Sequence, residues 1–366
     1  MAAAKRAGPV LGRRAPAPVV AHSAPLVLPV SAEPIRDGTV VIRGERVLQV
    51  GSRAELLSCF PVSEEVRWPG MIVAGLVDAC SAGPPPGPGV TARACVVADP
   101  ADLTGVPGIS YVEVSSASEQ EWEERERDAV ITAIREVDRP CAVGVAARTP
   151  DPQVLEDVAV LARTFGLRLL AGLDRHPPAA LDEAGVLGAH CHVACARPLD
   201  PGERKLLRLR GTVVAVCPPG HALAADVLAL LDDGTPVALG TNDLGTDGFG
   251  TGGFGTGGFG TGGLGNDRDL ARGGDVLALA AVVRERARQL GLRVRGLDRR
   301  LVEAATMGGA RALGMDRGPG RIGSLGPGSR ADFAVYDARG RYPYSALMAR
   351  PPCLATVVGG TVRGLT

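Results

Sequence analysis

Cys141-Ala-Val-Gly-Val-Ala146, then Asp151-Pro-Gln-Val-Leu155 running on to Phe165-Gly166, then Arg168-Leu-Leu-Ala-Gly172, make an apolar run, a helical pattern and a second apolar run. Asp151 reads as the helix cap and Pro152 fits its first turn, where no amide partner is needed. Val154, Leu155, Val158, Leu161, Ala162 and Phe165 then recur at helical spacing, and Gly166 ends the helix. Short runs that are apolar throughout are what strands buried on both faces require, and a helix between two of them makes the pair parallel. The same run recurs at Gly75–Ala79, Arg93–Val97, Ile109–Val114, Cys191–Ala194, Thr212–Cys217 and Pro236–Gly240. Eight such strands are the number that closes a TIM-type (β/α)8 barrel. A second helix is announced by the capping pattern Ser118-x-x-Glu121, followed by Val130, Ala133, Ile134 and Val137.

The ends of the chain read differently. Extended runs are expected at Pro25–Val30, at Thr39–Arg43 after a turn at Arg36-Asp37-Gly38, and at Arg46–Gly51. Two helical stretches, Val276–Leu290 and Arg300–Leu313, precede a return to β pattern at Arg321–Leu325, Ala331–Tyr336 and Ala355–Val362. The expected organisation is a disordered leader over 1–23, a composite β domain from 24–70 and 318–366, and a barrel over 71–317. The barrel carries a Gly-rich insertion at 244–266, and the stretch after Ala82 runs Gly-Pro-Pro-Pro-Gly-Pro-Gly89.

Lys+Arg and Asp+Glu both number 40, so the chain carries no basic surplus for nucleic acid or an anionic membrane. Aromatic residues are 3%, which leaves Ala, Val and Leu to build the core. Lys5 and Lys205 are the only lysines; with abundant Ala, Gly and Pro, that bias fits GC-rich coding rather than function. The eight cysteines form no CxxC pair, no stretch is long and apolar enough to span a bilayer, and 1–23 lacks the apolar core of a secretory signal. A soluble protein of the reducing cytoplasm is expected.

Four stretches carry a resemblance. They are Gly38-Thr-Val-Val-Ile-Arg-Gly-Glu-Arg-Val-Leu-Gln-Val-Gly51, Pro69-Gly70 with Gly75-Leu-Val-Asp-Ala79, and Leu231-Asp-Asp-Gly-Thr-Pro-Val-Ala-Leu-Gly-Thr241. The fourth is Ala304-Ala-Thr-Met-Gly-Gly-Ala-Arg-Ala-Leu-Gly314 with Gly323-Ser-Leu-Gly-Pro-Gly-Ser-Arg-Ala-Asp-Phe-Ala-Val335. Together they resemble the amidohydrolase superfamily, in its imidazolonepropionase and aminofutalosine- or guanine-deaminase-like branch. The resemblance implies metal-assisted hydrolysis of non-peptide C–N bonds in small cyclic compounds. Imidazoles and a carboxylate at the C-terminal strand ends would hold zinc or iron, whose bound water becomes the nucleophile. The resemblance also implies a helix after Ala82, where the Gly/Pro run stands instead, so an incomplete first unit of the barrel is expected.

This chain departs from that pattern at the ligand positions. Cys80 and Ala82 stand where the family has His-x-His, and Gly172 lies in the fifth-strand stretch where a His is expected. Cys195 takes the place of the sixth-strand His, Asn242 that of the metal-binding Asp, and Arg148 that of a fourth-strand His. No metal or other cofactor is therefore expected, and the leading expectation is a pseudoenzyme: an amidohydrolase-like protein with impaired or lost catalysis. Two other readings stay open: an active hydrolase with a rewired site drawing on Cys80, Cys195, Cys217, Asp174, His176 and Asp243, and a non-catalytic binding or scaffold protein. A small-molecule ligand in the barrel mouth would suit either, and a decaying gene product is the blandest reading. His190-Cys-His192 resembles a metal pair, but lies toward the closed end of its strand and reads as structural. The Gly-Phe-Gly-Thr-Gly repeat at Phe249, Phe254 and Phe259 reads as a flexible expansion, not a phosphate loop. The charges over Glu121–Asp128 read as a solvated helix face.

Overall fold

The computed structural model describes residues 17–81, 86–98, 107–136, 142–217, 223–241 and 275–365. All eight expected barrel strands form: β6 (Leu76–Ser81), β7 (Val90–Val97), β8 (Gly108–Val114), β9 (Ala142–Ala147), β10 (Arg168–Gly172), β11 (Cys191–Cys195), β12 (Val213–Val216) and β13 (Val237–Leu239). They pair in chain order, every neighbour parallel, as one eight-stranded sheet. Before them come β1 (Val19–Leu28), β2 (Ile35–Arg43), β3 (Arg46–Ser52), β4 (Glu64–Arg67) and β5 (Met71–Ala74). After them come β14 (Phe333–Tyr336), β15 (Cys353–Val358) and β16 (Thr361–Leu365). These eight make a second sheet from both ends of the chain, joined where β14 runs antiparallel to β5. No helix among the described residues is long and apolar enough to cross a membrane.

Local chemistry sets the helices that line the barrel. The helix Pro152–Phe165 is capped by the Asp151 carboxylate, which accepts from the Gln153 and Val154 amides, and it stops at Gly166 with φ 64°. Ser118 caps as expected, but the Glu121 carboxylate receives the amide of Ala117, one residue earlier than the capping pattern anticipates. Strand alternation sorts the core into two layers. Val112, Val145, Leu169, Val193 and Val216 face the helices; Ala94, Tyr111, Ala146, Leu170 and Ala194 fill the barrel.

The barrel's seam lies between its first and last strands, which form no ladder with each other among the described residues. The helical run from Leu297 to Ala312 covers it. A Cβ on Gly308 would stand 2.1 Å from the Val237 carbonyl oxygen of β13, and one on Gly309 would stand 2.6 Å from the Val77 oxygen of β6. The Met-Gly-Gly-Ala sequence is thus a backbone-to-backbone contact that no side chain can enter. Gly308→Ala is expected to lower stability by about 3 kcal/mol through this overpacking; an unchanged urea midpoint would contradict the contact.

Three local expectations are corrected. β1 begins at Val19, so 19–23 are strand rather than leader, pairing with β2 from Val19↔Arg43 to Ser23↔Thr39. Asp37-Gly38 is no hairpin turn: Gly38 pairs with Ala24 inside β2, and the β2–β3 turn sits at Gly44, φ 54°. The ten-residue partner strand outweighs a local turn preference that Asp37 still shows in its φ of 41°. Arg321–Leu325 is an irregular segment, because Gly320 and Gly323 both take positive φ and break any extended run. The stretch after Ser81 reaches β7 by residue 90, which is short for a helical crossover between parallel strands.

Candidate functional site at the barrel mouth

The C-terminal ends of β6 to β13 form one face, where barrel proteins assemble their sites. Cys80 of β6 is fully buried and belongs to the barrel-filling cluster, as does Cys217 just after β12. They are neighbours: a Cβ placed on Gly240 would lie 2.7 Å from the Cys80 Cβ and 3.1 Å from the Cys217 Sγ. Gly172 ends β10 two residues after interior-facing Leu170, and so presents no side chain where a ligand would stand. Cys195 does not join them. It packs with Cys191 and Val193 in the outer layer, while Ala194 faces the interior. Its thiol donates to the Arg197 carbonyl at 3.2 Å, and burial pushes its pKa up to about 11. Ala82 and Asn242 lie outside the described residues, as do Asp243 and the Gly-Phe-Gly-Thr-Gly repeat.

Other groups at the mouth are bound to the protein itself. The Nε2 of His176 stands 2.6 Å from the carbonyl oxygen of Thr149, and Asp174 is exposed to solvent. Arg148 follows β9 and pairs with Glu113 of β8 at 3.5 Å; both side chains are largely buried. Deeper in the barrel His192 is fully buried, with Nε2 3.0 Å from the Ala79 carbonyl oxygen and its ring edge-on to Tyr111. His190 precedes the strand and packs beside Gly188, so the two imidazoles are held by different neighbours.

Asp78 is a participant that sequence reasoning passed over. Its carboxylate is 3% exposed and accepts from the Thr241 amide (3.0 Å), the Thr241 hydroxyl (2.5 Å) and the Cys80 amide (3.2 Å). Burial pushes its pKa up to about 6, against the pull of those donors and of the Arg93 charge. The carboxylate clasps β6 to the end of β13 at the mouth, as Gly308 and Gly309 do beneath it. Its only sequence signal was its place inside Gly75-Leu-Val-Asp-Ala79.

Residues 158–363, more than half of the chain, match the model of the amidohydrolase family. The chain belongs to this family. A curated relative, the 5-methylthioadenosine/S-adenosylhomocysteine deaminase of Syntrophobacter fumaroxidans, is 32% identical over 176 residues, 47% of this chain. That match spans only 34% of the relative's length. Among solved structures, an adenosine deaminase from Xanthomonas campestris with bound zinc superposes with a TM-score of 0.72 at 18% identity, covering 96% of this chain and 94% of the other. Escherichia coli guanine deaminase gives 0.69 at 15% identity, covering 95% and 99%. At such identities these two speak for the fold alone. Among the described residues no three His, Cys, Asp or Glu side chains are grouped to share a cation.

Proposed function

We propose that this chain is an amidohydrolase in ancestry and fold that has lost metal-dependent C–N hydrolysis, derived from the imidazolonepropionase- and guanine-deaminase-like branch. The observation that carries the proposal is the set of residues at the ligand positions: Cys80, Ala82, Gly172, Cys195 and Asn242. A catalytic zinc takes about three protein ligands and an open position for water. Here glycine and alanine supply none, asparagine supplies a neutral amide, and Cys195 points into the outer layer. Without the cation there is no agent to lower the pKa of water toward neutrality.

A rewired thiolate site is disfavoured by the same groups. Burial holds the Cys195 thiol protonated at neutral pH, and the backbone occupies His176. The seven described cysteines are free thiols, which suits the reducing cytoplasm we assign to the protein.

The test is metal analysis of the purified full chain, with ammonia release from adenosine, 5-methylthioadenosine, S-adenosylhomocysteine and guanine. The relatives' names make these the natural substrates to try. The expected result is well under one equivalent of zinc or iron and no turnover when either metal is added. One tightly bound equivalent with turnover would overturn the proposal.

A further inference from the structure

Away from the mouth, a cavity of about 520 Å³ opens between the helix Val276–Gln289, the helix Leu297–Glu303 and the short helix Pro343–Leu347. Its size lies within the range of small-molecule sites. The sequence around it is unlike the rest of this neutral chain: residues 284–300 hold seven arginines against Glu285 and Asp298.

Most of that charge has a local task. Arg284 pairs with Asp298 at 2.8 Å, and Arg299 with Glu303 at 2.8 Å and Glu33 at 3.1 Å. Arg286 and Arg288 lie in the last turn of their helix, where cations complement the helix dipole. Arg293 is different. It lines the cavity from the loop between the helices, is exposed, and makes no ion pair or hydrogen bond among the described residues.

Two further features point the same way. Tyr342 is 67% exposed on the rim, and Leu292, which also lines the cavity, is 44% exposed. A free guanidinium and an exposed ring beside apolar wall suit a ligand with a phosphate at one end and a flat ring at the other.

We infer that this cavity binds a nucleoside monophosphate or a similar ring-bearing phosphate ester, its phosphate on Arg293 and its ring against Tyr342. The site is separate from the mouth, so it stands whether or not the barrel retains catalysis.

Calorimetric titration of the full chain with AMP, adenosine and inorganic phosphate at low salt tests it. AMP should bind with a Kd below about 1 mM, and more tightly than adenosine or phosphate. Arg293→Ala and Tyr342→Ala, both at exposed positions, should each weaken AMP by about tenfold, the loss of one charge-assisted contact or one stacked ring. Raising the salt should weaken it further. AMP giving no heat, or phosphate alone binding as tightly as AMP, would overturn the inference. AMP binding that survives both substitutions would place the ligand elsewhere, the barrel mouth included, and would overturn it equally.

Discussion

Asp78→Ala should destabilise the protein more at pH 5 than at pH 7.5. Removing the carboxylate strands three donors at the β6–β13 seam: the Thr241 amide, the Thr241 hydroxyl and the Cys80 amide. Leaving buried donors without an acceptor costs about 2 kcal/mol at pH 7.5, after part is recovered from no longer burying a charge. The pH dependence follows from the raised pKa. The folded protein holds a proton on Asp78 up to about pH 6, whereas the unfolded chain releases it near the ordinary carboxylate value. The contribution of Asp78 is therefore complete below the unfolded pKa and declines as pH rises through 6. Linkage makes the cost of the substitution about 1.4 kcal/mol larger at pH 5 than at pH 7.5. Urea unfolding of both proteins at the two pH values measures it. A cost that is small and the same at both pH values would mean that Asp78 does not clasp the seam.

The seam also shows where sequence reasoning ran out. The eight strands were legible because each is an apolar run bounded by polar residues, and helix caps such as Asp151 are local signals read within four residues. The clasp joins residues 163 positions apart, and nothing near Asp78 or Thr241 marks either as the other's partner. Cys195 shows a second limit. The strand Cys191–Cys195 forms as expected, but an apolar run does not fix which of its residues face inward, and a shift of one residue exchanges the interior face for the outer one. Ala194, not Cys195, faces the interior near the end of β11. The motif at 304–314 was read as a family signature, while its physical reason, two helix glycines lying on strand carbonyls, appears only when the seam is assembled. Residue identities therefore carry the proposal about the mouth. Only the fold shows that Asp78, Thr241, Glu113 and Arg148 tie together the strand ends there.

Replacement of His192 should reverse part of the protein's acid sensitivity. The imidazole is sealed inside the barrel, bonded through Nε2 to the Ala79 carbonyl oxygen, next in sequence to Asp78. Burial, aided by the nearby Arg168 charge, lowers its pKa to about 3. The sign is opposite to that of Asp78. A depressed histidine contributes stability that is complete above its unfolded pKa of about 6.5 and is lost as pH falls toward 3. Between pH 7.5 and pH 4 the unfolded chain takes up a proton that the folded barrel refuses, at a cost of about 3 kcal/mol. Over the same interval Asp78 gains a proton in the folded state first, so Asp78 on β6 and His192 on β11, which bonds to the neighbouring Ala79, oppose one another. His22 of β1 and Asp332, just before β14, form a second opposed set, with pKa values moved by burial to about 4 and about 6. His192→Gln can keep a donor for the Ala79 oxygen while removing the titration. It should cost stability at pH 7.5 through imperfect packing, yet lose about 3 kcal/mol less than the parent on going to pH 4. Asp78→Ala should do the reverse and become more acid-sensitive than the parent. If the stability of the His192 variant falls with pH in parallel with the parent, the imidazole is protonated in the folded barrel, and the interior around Tyr111 and Ala79 admits charge that this packing excludes.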